Sequence, residues 1–237
     1  MPTESQVSMM NNYALLMEEA KQRIDWLNIL LSGNTGLPNT AIQEFGFLQL
    51  RILCELIALG CLTAHGDLAE TKAKSFRDEW NATNILNRLQ RLHAEFYPHP
   101  VSVRELGPGR KHLDEITSGH LSKSELISLY GRSSDLIHRG SVSKLLTPTP
   151  PWPPDNSELL QWGQKIVTLL SHHHIGHLGG ATHMICLLKN QSDSNRVQVT
   201  FAEALSPEAA AALPPLPHPG PIVLPGLHPS KPWKPGK

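Results

Sequence analysis

Arg132, Ser134, Asp135 and His138 crowd one end of an apolar-striped segment, SKSELISLYGRSSDLIHRG, residues 122–140. These side-chain types serve acid–base chemistry and anion binding. On a continuous helix, at about 100° per residue, His138 stands about 40° round from Ser134 and about 60° from Asp135, so the three can touch. Asp135 could then orient the imidazole and favour its protonated form, the arrangement general acid–base catalysis needs near neutral pH. Arg132 lies six residues from His138, displaced about 120° around the axis and about 9 Å along it. The two converge on one phosphate only if the long Arg side chain bends round, if the helix is irregular near Gly131, or if a second copy contributes. A plainer reading of the same residues makes Asp135 and Arg139 a surface (i, i+4) pair and lets His138 border the core with its nitrogens satisfied locally.

A second concentration is SHHHIGHLGGATH, residues 171–183. Read as the end of a helix, it puts His173 and His177 four apart on one face, a workable pair for a transition metal that still needs a third ligand. Histidines at a helix C-terminus also suit the dipole and the terminal carbonyls without any metal. The turn GPGRKH, Gly107 to His112, offers backbone amides and two cations to a phosphate but lacks the spacing of a phosphate loop. No GxSxG elbow is present, and Cys54, Cys61 and Cys186 all lie in apolar segments, which fits reduced, buried thiols. No cofactor is expected.

The elements that must position these groups read mainly as helices. Tyr13, Leu16, Met17, Ala20, Ile24, Leu27 and Leu31 recur at threes and fours, predicting an amphipathic helix from about Met9 to Leu31. A second, almost wholly apolar helix follows Pro38, with Thr40 and Gln43 at capping-box spacing, and belongs at the centre of a bundle. Arg51 and Glu55 on it form an (i, i+4) pair. Asp67 and Glu70 start a short helix through about Phe76, and Ala82 to Phe96 form another. Val101 to Val103 is at most a short strand in a turn-rich connection. Ser122 and Glu125 cap the helix that carries Arg132 and His138. Five prolines between Pro148 and Pro154 make a stiff spacer. A helix from about Ser157 to His172 follows, and HMICLLKN and RVQVTFAEA then read as a β-hairpin around QSDSN.

The Arg132-x5-His138 spacing, late in an otherwise helical stretch, resembles the R-x(4-6)-H motif of HEPN domains, helical bundles of bacterial toxins and defence ribonucleases. The resemblance covers roughly residues 9–140. It implies a dimer with two motifs facing one cleft, RNA as substrate, metal-independent cleavage, His138 as acid or base and Arg132 as the phosphate-binding group. Arg88-x4-His93 is a second instance of the R-x(4-6)-H pattern, and Ser133 stands where that family often has Asn, Asp or His.

Composition bounds the rest. The 237 residues carry 21 basic and 21 acidic side chains, so no overall field draws the chain to nucleic acid or an anionic membrane. The N-terminus lacks the pattern of a secretory leader, and the most apolar window, residues 52–62, falls short of the roughly 20 residues a bilayer needs. Together these predict a cytoplasmic, mainly α protein: a bundle of about five or six helices over 1–146, a spacer at 147–156, a helix plus β-hairpin at 157–205, and a disordered, proline-rich tail at 206–237. Ten prolines fall between Pro207 and Pro235, and PPLP at 214–217 could dock in a partner's aromatic groove. The expected function is a self-associating helical binding or assembly module, with the HEPN-like ribonuclease as the alternative.

Overall fold

The computed structural model describes residues 3–107, 110–137, 155–177 and 182–205. His138, Arg139, most of the spacer and the tail from 206 lie outside the described residues. The architecture corrects the expected helical bundle: helices pack against one face of a five-stranded antiparallel sheet, strand order β2-β1-β3-β4-β5. The helices are α1 (Glu4–Leu31), α2 (Asn39–Ala64), the single turn α3 (Lys74–Arg77), α4 (Ala82–Leu92), α5 (Lys123–Ile137) and α6 (Ser157–Leu170). The strands are β1 (His99–Gly107), β2 (Arg110–Glu115), β3 (His172–Gly176), β4 (Thr182–Asn190) and β5 (Arg196–Glu203).

α2 is the hub, in contact with α1, α4, α5 and α6. Phe47, Leu50, Leu53 and Ile57 on it are fully buried or nearly so, each contributing about 1.5–3 kcal/mol of transfer free energy. By length and composition α2 is also apolar enough to cross a bilayer, but 61% of its most apolar window is buried inside the protein. No capping box forms at Thr40; Pro38 occupies the N-cap, and the buried Gln43 side chain instead donates to Asp155 O (2.6 Å) and Asn156 Oδ1 (2.9 Å) ahead of α6. α5 does begin in a capping box: Ser122 N donates to Glu125 Oε2 (3.0 Å) and Glu125 N to Ser122 Oγ (3.3 Å). The Glu125 carboxylate also holds Lys165 of α6.

Two strands replace the expected connection after α4, and a third replaces the expected end of α6. β1 and β2 pair from Val101↔Glu115 to Gly107↔Arg110, with an irregularity between Glu105 and Gly107. Arg104 and Asp114 grip one another across this hairpin, and that guanidinium holds the Asp114 carboxyl below its usual range. α6 stops at Leu170, and the chain turns at Ser171 into β3, whose His99↔His174 and Pro100↔His173 pairs join the two halves of the sheet. The expected hairpin is β4–β5. Its turn places Ser194 and Asn195 at φ 51° and 60°, a region asparagine tolerates better than most residues.

Side chains alternate across the sheet. His173 and Ile175 of β3 and Met184, Cys186 and Leu188 of β4 face the helices and are buried, while Val197, Val199 and Phe201 of β5 pack at the edge of that core. His172, His174, Ile185, Leu187, Gln198 and Thr200 alternate with these on the outer face. α1 lies along β4 and β5, fastened by Val197 N donating to Glu18 Oε1 (2.7 Å) and Lys189 pairing with Asp25 (3.0 Å).

Gly46 sets the approach of α2 to α6, since a Cβ added there would lie 2.5 Å from Leu159 Cδ1 and 2.9 Å from Cδ2. Replacing glycine in mid-helix by alanine normally gains about 1 kcal/mol, whereas overpacking a core costs about 1–3 kcal/mol. Leu159 is fully buried, so the second effect wins. Gly46→Val is expected to lower the urea unfolding free energy by about 2 kcal/mol; a variant as stable as the parent would show that the two helices separate freely.

Candidate functional site

Of the cluster read from α5, the described members Arg132 and Ser134 turn to different neighbours. Arg132 is exposed and turns toward α6, its Nε and Nη2 donating to the Glu158 carboxylate at 3.3 Å each, with Phe47 beneath the guanidinium at 5.9 Å. Ser134 turns toward α2: its Oγ donates to Tyr130 O (2.8 Å) and accepts from Arg51. Arg51 also donates to Tyr130 Oη (2.9 Å) and pairs with Glu55 (3.4 Å), so this polar knot joins α2 to α5. Asp135 is exposed. His138, on which the acid–base reading rests, lies outside the described residues.

The expected metal pair is corrected by the strand. His173 and His177 fall on and just beyond β3, where four residues span about 13 Å rather than one helical turn. His173 is fully buried and both its nitrogens are engaged: Nδ1 donates to Leu170 O (3.1 Å), and Nε2 accepts from Tyr13 Oη of α1 (2.7 Å). Among the described residues no three His, Cys, Asp or Glu side chains are placed to hold one metal ion.

Histidines nevertheless converge here, on both sides of Gly176. On one side His65 of the α2 C-cap donates from Nδ1 to Cys61 O (2.9 Å), with Nε2 3.3 Å from Gly176 O; His93 Nε2 donates to the same carbonyl at 2.8 Å. His177 stacks on His65 with centroids 5.6 Å apart, and its Nε2 is buried with no partner among the described residues. On the other side, the outer face, His99 of β1, His174 of β3 and His183 of β4 run across three adjacent strands. His99 stacks on His174 at 5.3 Å, and His174 meets His183 edge-on at 5.0 Å with their Nδ1 atoms 3.2 Å apart. His99 Nε2 also reaches Glu95 Oε2 at 3.1 Å.

Burial keeps most of these rings uncharged near neutral pH. It lowers the pKa of His65, His172 and His177, and pushes His173 and His174 down to about 4; neighbouring imidazoles add to the effect for all but His172, where the Lys111 cation does. They therefore act as hydrogen-bonding groups and potential ligands rather than cations. Burial raises the thiols of Cys54, Cys61 and Cys186 far above their usual range, which leaves them inert as nucleophiles.

The outer face of the sheet holds a groove of about 560 Å³. Val103, Leu113, Ile185 and Leu187 contribute apolar surface, His172 and His183 contribute imidazoles, and Arg110, Lys111 and Glu203 supply charge. The two cations of the GPGRKH stretch thus stand beside this groove rather than in a phosphate loop. The sequence signal for the groove was the alternation in residues 182–188 and 197–201; its β1–β2 side was hidden by prolines and charged residues.

The Tyr13–His173 bond gives a direct test. Tyr13→Phe leaves a buried imidazole acceptor unpaired and is expected to cost about 1–3 kcal/mol by chemical denaturation; an unchanged midpoint would show that the bond contributes nothing. His173 has its folded-state pKa below its ordinary 6.5, so the folded state resists protonation. Its contribution is complete above about pH 6.5 and is lost as pH falls toward about 4, on the order of 3 kcal/mol in all. Unfolding free energy measured from pH 7 to 4 is expected to fall along that window, and less steeply for His173→Leu.

No protein-family model matches this chain, and no significant match is found to any curated protein or solved structure.

Proposed function

We propose that this protein is a cytoplasmic binding module that takes a small anionic ligand with an apolar body on the outer face of its sheet. The observation that carries this reading is the groove itself: helices cover one face of the sheet, while the other presents apolar side chains beside Arg110 and Lys111. Its volume lies within the usual range of small-molecule sites, and polar and apolar side chains line it together. Among the described lining residues Arg110 and Lys111 stand with one carboxylate, Glu203, which supports an anionic ligand although the chain as a whole is neutral. Three free, buried cysteines support a reducing compartment.

The ribonuclease reading has less support. Its described cation, Arg132, is already paired with Glu158, and Ser134 is committed to α2.

The dye 8-anilinonaphthalene-1-sulfonate combines an aromatic body with one anionic group and serves as the probe. The folded protein is expected to bind it with enhanced fluorescence, and Ile185→Glu, which puts a carboxylate among the apolar groups, is expected to weaken binding about tenfold or more at unchanged melting temperature. Lys111→Glu is expected to act in the same direction. Dye binding that ignores both substitutions overturns the groove reading. RNA cleavage in the presence of EDTA, abolished by Arg132→Ala without loss of stability, would put the ribonuclease in its place.

A further inference from the structure

His174 and His183 stand on neighbouring strands of the outer face. The ladder pairs Gly176 with His183 and His174 with Ile185, so the two histidines are diagonal neighbours whose backbones are fixed by the sheet. Their Nδ1 atoms lie 3.2 Å apart. Two nitrogens each about 2.0–2.1 Å from a tetrahedrally coordinated ion are separated by about 3.3–3.4 Å, so the observed gap is close to that between two ligands of one metal. Opposite His183 the chain has a glycine, so no side chain from that position covers the ring. Both rings are only partly buried, and His183 lines the groove, so the pair can be reached from solvent. His99, stacked on His174 and bonded through Nε2 to Glu95, steadies the first ring from behind.

We propose that His174 and His183 bind one divalent transition-metal ion through their Nδ1 atoms, as a two-imidazole chelate whose remaining positions are filled from solvent. Two imidazole ligands suit copper(II) and zinc(II), with copper(II) held more tightly. The site differs from the pair expected from sequence: His174 takes the place of His173, whose nitrogens are engaged in the core, and the second ligand comes from the next strand. It does not depend on the groove binding any organic ligand.

Because the chain has thirteen histidines, the test must separate this pair from the others. The full-length protein is titrated with zinc(II) in competition with a chromophoric chelator, and its copper(II) form is examined by electron paramagnetic resonance. One tightly bound equivalent is expected, with a copper signal from two imidazole nitrogens. Losing a supporting residue around a metal typically costs 10–100-fold in affinity, so His174→Ala and His183→Ala, each removing a ligand, are expected to weaken zinc binding more than about tenfold. His112→Ala and a His218→Ala/His228→Ala variant are expected to bind like the parent. Should either ligand variant fail to fold by circular dichroism, the nitrogen count on the parent decides. A double His174→Ala/His183→Ala variant that binds as the parent does, or a parent that takes up neither metal at micromolar concentration, overturns the site.

Discussion

The buried hydrogen bond from Tyr13 Oη to His173 Nε2 ties the helical layer to the sheet, and much of the outer face follows from it. His173 is the middle member of His172-His173-His174. In a strand, successive side chains point to opposite faces, so a chain that buries the second must turn the first and third outward. The bond to α1 favours burying this one, since a fully buried ring costs far less when both nitrogens are satisfied. A slip of one residue would bring His172 and His174 into the core without those partners and expose Ile175. The 2.7 Å contact thus sets register as well as adding strength.

The same reasoning applies around α2. Its nearly unbroken apolar surface requires neighbours on most sides, and α1, α4, α5 and α6 supply them. Polar groups at these contacts are joined in specific pairs: Arg51 with Tyr130 and Ser134, and Gln43 with the chain entering α6. Each fixes an angle between elements that apolar packing alone would leave loose. The Arg132–Glu158 pair, by contrast, lies at the surface, where such contacts add little.

The helices were legible in the sequence because their periodicity is local: the stripes around Tyr13, Phe47, Ile85, Leu126 and Ile166 are set by residues within a turn of one another. Most of the sheet was not. β1 alternates only at Val101 and Val103, and its polar partners make sense once Arg104 meets Asp114 ten residues on. β3 looked like the end of a helix because histidine has no strong strand preference and the apolar run before it is helical. On the strand, His173 and His177 lie too far apart to share an ion. The pairing of His174 with His183 was illegible for another reason: it depends on which residue of β4 stands opposite Gly176, a register set by long-range ladder bonds. The angles reckoned from His138 describe a bare helix, whereas in the structure Glu158 and Arg51 draw Arg132 and Ser134 to different neighbours.

A half-covered antiparallel sheet normally turns polar side chains to solvent. This one does so on β5, with Gln198 and Thr200, but not on β4, where Ile185 and Leu187 face outward, nor where Val103 and Leu113 of the β1–β2 hairpin meet the same groove. Packing against the helices does not require apolar residues at those places, because the inner face is already filled by Met184, Cys186 and Leu188. Charge is also placed unevenly: in a chain of balanced composition, Arg110 and Lys111 both stand at this groove. Apolar surface beside cations, at a place that the inner packing does not need, is what the proposed ligand groove rests on.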